Sequence, residues 1–190
     1  MSSRSPDTIK FLTLDELKRL FSVIKDKRDK ALFLVAYRHG LRASEVGLLQ
    51  KNDINFKEMR ITVHRLKGSK SGVYPLQADE AKALKAHIKA RDDHSPTLFT
   101  NNRGLPITRN GLLWLMKQYG KKAKLPADKQ YFHALKHSIA THLLDAGAEL
   151  RFVQDWLGHS NIQNTVIYTY LASATREEKA RSIFLKLPRF

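Results

Sequence analysis

The sequence predicts an α+β domain, mainly α-helical, with one small antiparallel β-sheet. Three observations lead there. Apolar residues recur at helical spacing between capping signals over most of the 190 residues. The pattern breaks once, where the β-branched segment MRITVHRL is answered by GVYPL across the Gly/Ser-rich turn KGSKSG, a β-hairpin. There is no cysteine, so no disulfide framework, thiolate metal site or cysteine nucleophile is available. No apolar run nears the roughly 20 residues that span a bilayer. The start, MSSRSPDTIK, lacks the hydrophobic stretch of a signal peptide. A cytoplasmic protein without a membrane partner is expected.

The elements follow in order. Residues 1–10 are expected to be a flexible arm and residues 11–190 one domain. TLDE (Thr13 to Glu16) is a capping box opening a helix over 14–25, with Leu14, Leu17, Leu20, Phe21 and Ile24 at helical spacing. A helix over 28–39 stops at Gly40, its expected C-cap. Ser44 starts a shorter helix, SEVGLLQ. After the hairpin come a helix over 78–92, an extended TLFT segment, and a helix over 108–122 capped by Thr108. Beyond the loop at Pro126, helices are expected near 133–146, 149–157, 161–169 and 173–186.

Charge narrows the partner. Thirty-four Lys and Arg against 18 Asp and Glu give a formal charge of +16, which suits a polyanion such as nucleic acid. Between residues 100 and 137, eight basic side chains face one acid, a net of +7. From residue 138 onward six basic and five acidic side chains nearly balance. A long polyanion is therefore expected across the first 137 residues.

Four segments carry candidate chemistry. In GLRASE, Arg42 follows a glycine and precedes a helix start, where a guanidinium joins backbone N–H groups toward a phosphate; pairing with Glu45 is the alternative. In RLKGSKSG, Lys67 can anchor a phosphate or donate a proton, with Lys70 three residues on; an ordinary solvated turn is the alternative. In HALKHSIATH, a wheel sets Leu135, Ile139, Leu143 and Ala146 on one stripe and His133, Lys136 and His137 on the adjoining face. His133 and His137 are spaced as metal ligands, but no acid completes the set and Lys136 would repel a cation, so an anion is the better fit and no metal is expected. His142 falls away from this face and reads as structural. In WLGHSNIQNTVIYTY, Gly158 is a helix C-cap, His159 sits on the following turn, and Tyr168 comes nine residues later, with Tyr170 as its substitute.

Together the four segments resemble the catalytic domain of the tyrosine recombinase (phage integrase) family. GLRASE resembles its first arginine box, LKGSK its hairpin lysine, HALKH its His-x-x-Arg-His box, and LGHSNIQNTVIYTY its Leu-Gly-His box with the tyrosine. Order and spacing agree over about residues 10–185. The likeness is to the short, single-domain recombinases that invert fimbrial promoter segments, or to an excised catalytic fragment.

The resemblance implies site-specific recombination of double-stranded DNA without cofactor or metal. Tyr168 would attack a phosphodiester to form a 3′-phosphotyrosine. Arg42 would grip non-bridging oxygens, and His159 would add a hydrogen bond. His133 would donate to the phosphate or accept the tyrosine proton. Lys67 would protonate the leaving 5′-oxygen, with Lys70 in reserve, and Glu45 and His137 would support. Arg65, Arg103, Arg109, Lys121 and Lys122 are the basic side chains offered to the duplex. The second arginine of the family is replaced by Lys136, which keeps the charge and loses the planar fork. That leaves a topoisomerase-like nicking enzyme or a catalytically weak DNA-binding regulator as alternatives. The family also implies four protomers on DNA and a monomer in solution. The amphipathic tail SATREEKARSIFLKL, the helix over 173–186, would be exchanged between them or packed on its own domain.

Overall fold

The computed structural model describes residues 9–66, 68–172, 180–181 and 184–185. Lys67 and most of the 173–186 tail lie outside the described residues, as do residues 1–8.

Eight helices and a three-stranded sheet are present among the described residues. The helix α1 (Leu14–Val23) opens on the expected capping box: Thr13 Oγ1 accepts from the Glu16 N–H, and the Glu16 carboxylate accepts from the Thr13 N–H. The segment just before it is docked. Ile9 and Leu12 are buried, Tyr131 donates to the Lys10 carbonyl at 2.7 Å, and the Leu12 N–H donates to Ser138 Oγ at 2.8 Å.

The helix α2 (Lys27–Arg38) is the spine of the core, buried from Ala31 to Tyr37. It packs against α4 (Ala78–Lys89) and α6 (Ala134–Asp145). Gly40 ends it at φ +55°, and a Cβ there would meet Leu157 Cδ2 at 2.5 Å, so the glycine serves both turn and packing. The following helix, α3 (Ala43–Val46), is one turn long.

The expected hairpin is β2 (Arg60–Val63) paired antiparallel with β3 (Gly72–Pro75), Ile61 opposite Tyr74 and Val63 opposite Gly72. A third strand, β1 (Ile54–Asn55), pairs with β2; at two residues it is too short to show alternation. TLFT is extended and held by isolated bridges. The helix α5 (Arg109–Lys122) is capped by Thr108 as expected. Beyond α6 come α7 (Leu150–Trp156) and α8 (Gln163–Val166), which continues into a 3₁₀ turn over Ile167–Tyr170.

Candidate active site

An open cleft of about 950 Å³ lies where the start of α3, the start of α5 and the entry to α6 meet. Arg42, Arg109, Tyr131, His133 and His137 line it. Arg42 caps α3, and its Nη1 donates to Glu45 Oε1 at 2.7 Å and to Ser69 Oγ at 2.9 Å. The side chain stays 30% exposed, so pairing with Glu45 and facing the cleft are compatible.

Behind Arg42 lies a buried ionic group. Glu45 and Arg65 are both fully buried at their side chains and meet at 3.1 Å. Burial would raise the Glu45 carboxyl, but the Arg42 N–H bond and the charges of Arg65, Arg42 and Lys136 outweigh it and hold it below the usual range. Arg65 also donates to the carbonyls of His39, Gly40 and Trp156, gathering the ends of α2 and α7. This corrects the expectation that Arg65 binds DNA. Its guanidinium has no surface to offer and braces the site from behind.

Lys136 also differs from expectation. It is 1% exposed, and its Nζ donates to the Leu157 carbonyl at 3.1 Å. Burial first, then Arg65 and Arg42, push the ammonium down to about 7, against the pull of Glu45. Lys136 therefore holds the turn carrying His159 rather than lining the cleft. Helix α6 is buried from Ala134 through Thr141, so its wheel has no solvated face to receive Lys136.

His159 follows Gly158, at φ +66°, where a Cβ would strike the Lys70 carbonyl at 2.6 Å. The Lys70 N–H donates to the Gly158 carbonyl at 3.0 Å, so the hairpin turn rests on the His159 turn. His159 is buried, with Nδ1 2.9 Å from Thr165 Oγ1. Burial, then the charges of Lys136, Arg42, Arg65 and His133, push its imidazole down to about 3, so it is neutral at pH 7.

Tyr168 is 2% exposed on the 3₁₀ turn, and its hydroxyl lies 2.9 Å from His137 Nδ1. Tyr170 is 70% exposed. His137 therefore meets the tyrosine, and its ring packs edge-to-face on His133 at 4.6 Å. Ser69 and Thr165 were missed by sequence reasoning, since short hydroxyl side chains carry no distinctive pattern. His142 is structural as expected, hydrogen-bonded to Tyr37.

Of the other basic candidates, Arg109 borders the cleft, while Arg103 lies by a separate hollow near Trp114. Lys121 and Lys122 are exposed at the far end of α5, about 18 Å from Arg109 by helical rise. Among the described residues no three His, Cys, Asp or Glu gather as a metal site, and no helix is long and apolar enough to cross a membrane.

The model of the phage integrase family matches residues 10–175. The chain belongs to the phage integrase family. Among relatives of this family member, tyrosine recombinase XerA of Thermococcus onnurineus (strain NA1) is 38% identical over 184 residues, 92% of this chain and 64% of XerA. The chain thus spans less than two thirds of that relative's length. The type 1 fimbriae regulatory protein FimE of Escherichia coli (strain K12) is 33% identical over 169 residues, 84% of this chain and 85% of FimE. Among solved structures, XerH site-specific recombinase bound to palindromic difH substrate, a post-cleavage complex, matches with TM-score 0.77 and 26% identity. That match covers 94% of this chain and 54% of XerH. The phage integrase fold is thus an α+β one with a small antiparallel sheet, as expected.

Proposed function

We propose that residues 11–190 are the catalytic unit of a site-specific DNA recombinase that breaks and rejoins strands through a 3′-phosphotyrosine. The observation that carries this reading is the convergence of Arg42 and His133 on one cleft, with the Tyr168 hydroxyl against its His137 wall. A phosphodiester seated there would meet the Arg42 fork and the His133 ring. His159, neutral, would donate from Nε2 when the Thr165 hydroxyl donates to its Nδ1. These groups supply preorganised donors where charge grows on the pentacoordinate phosphorus. The Tyr168 oxygen would displace the 5′-oxygen, which Lys67, or else Lys70, protonates. The ester's energy is kept in the phosphotyrosine, so the step reverses without cofactor.

Relatives named as recombinases favour recombination over topoisomerase-like nicking. The family reading extends to four protomers on double-stranded DNA from a monomer in solution, with the 173–186 tail exchanged, at the nucleoid in the cytoplasm. Arg109 at the cleft, and Arg103, Lys121 and Lys122 away from it, would hold the duplex backbone.

The test is a nicked duplex pool that traps the covalent step. Wild type should yield a denaturation-resistant adduct and Tyr168→Phe none. Bound DNA without adduct would favour a second reading, a DNA-binding regulator, which the burial of Lys136 supports. Lys136→Arg tests the lysine itself once an adduct is seen. Equal or faster adduct formation marks a weakened enzyme, and a tenfold drop marks a pocket built around lysine.

A further inference from the structure

The Tyr168 phenol is a poor nucleophile while it keeps its proton, since its intrinsic pKa is near ~10. Its hydroxyl lies 2.9 Å from His137 Nδ1. That is within the reach required of a general base. His137 is 6% exposed, yet it lines the cleft, so its ring bridges the buried phenol and the place where phosphate would sit. The ring is held on several sides. Its own helix α6 fixes the backbone, and the His133 ring packs on it edge-to-face. The Tyr131 ring stands 6.4 Å away and is itself tied to the Lys10 carbonyl.

We propose that His137 is the catalytic base that takes the Tyr168 proton. The assignment rests on the strand-transfer reading and deepens it. The Tyr168 O–H bond breaks and its proton passes to His137 Nδ1. The phenolate oxygen bonds to phosphorus, the P–O5′ bond breaks, and the electron pair leaves on the 5′-oxygen, which takes a proton from the lysine donor. In rejoining, the incoming 5′-hydroxyl gives its proton to the lysine and its oxygen bonds to phosphorus, the P–O bond to Tyr168 breaks, and His137 returns the proton to the departing phenolate. His133, one helical turn earlier, would hydrogen-bond the phosphate throughout. The required starting tautomer of His137 carries its proton on Nε2 and leaves Nδ1 as acceptor.

The test uses the intact chain and a pool of nicked duplexes of randomised sequence, made with either oxygen or sulfur as the bridging 5′ atom. A thiolate leaves without a proton, so sulfur rescues a lost proton donor and does not rescue a lost acceptor. The expected result is that His137→Asn forms adduct about 10²–10⁴-fold more slowly on both substrates, while Lys67→Ala recovers on sulfur. A rate within threefold of wild type would overturn the assignment. Sulfur rescue of His137→Asn would make His137 a donor instead. Acceleration would make the contact a latch that holds the phenol back. Absence of adduct from wild type on every duplex sinks the strand-transfer reading, and the base with it. Should His137→Asn not fold, nitrogen-15 NMR of the wild-type imidazole decides. An unprotonated Nδ1, perturbed in Tyr168→Phe, supports the assignment, and a protonated Nδ1 overturns it.

Discussion

The two sides of the cleft are built differently. At the front, Arg42 and His133 are part-exposed and border the cleft. At the back, Glu45, Arg65, Lys136, His137, His159 and Tyr168 are all buried and tied to helix ends, to a backbone carbonyl or to one another. The front can meet an anion with little change in the fold. The back cannot be altered without disturbing both packing and protonation. Recognition and proton state are thereby assigned to separate layers of one site, and variants in the two layers should fail in different ways.

The sharpest break of that contrast is at Glu45. Glu45→Ala leaves Arg65 buried without its carboxylate and should cost about 3–5 kcal/mol of folding stability in urea unfolding. A loss below about 1 kcal/mol would mean that the carbonyls of His39, Gly40 and Trp156 alone satisfy Arg65. Arg42→Ala should do the opposite. Adduct formation should fall about 10²–10³-fold, with stability moving by about 1 kcal/mol or less. A large stability loss there would erase the distinction between front and back.

Lys136 tests the back layer through pH. Its folded-state pKa, about 7, lies below that of the unfolded chain. Below pH 7 the ammonium is charged in both states and its burial cost is fully present. Between pH 7 and roughly 10.4 the folded state loses its proton first, so the unfolded state binds more protons and stability rises with pH. Lys136→Met should flatten that rise in unfolding free energies taken from pH 7 to 9.5. Identical slopes in the two proteins would place the lysine in contact with water. His159 works in the same direction at lower pH. Its depressed imidazole should cost stability as pH falls from about 6.5 toward 3, a loss His159→Gln should reduce in acid titrations.

The smallest effects belong outside both layers. DNA binding should weaken with salt at a log–log slope of about −5 to −9. Lys121→Ala or Arg103→Ala should each reduce the slope's size by about 1 and move stability by less than about 0.5 kcal/mol. A slope unaffected by both would confine the duplex to the cleft.

Much of this architecture was legible in the chain. The capping box at Thr13, the glycine stops at Gly40 and Gly158 and the hairpin itself are local, and all three hold. The Arg65 error was avoidable. Along β2 and just beyond, Ile61, Val63 and Arg65 share the inward parity, and alternation alone puts the arginine in the core. Lys136 was harder to place. Its wheel position adjoined the apolar stripe, and only the neighbours packed all around α6 turn that position into interior. The His137–Tyr168 contact spans 31 residues and leaves no periodic trace.

The sequence by itself determined the elements, the family, and the side chains available for phosphate chemistry, because capping, periodicity and motif spacing are properties of short stretches. Tertiary structure alone decided which cations face the cleft and which are buried behind it, and which histidine meets the tyrosine. Burial and ion pairing are set by neighbours distant in the chain, and they move a proton affinity by several powers of ten without changing a residue.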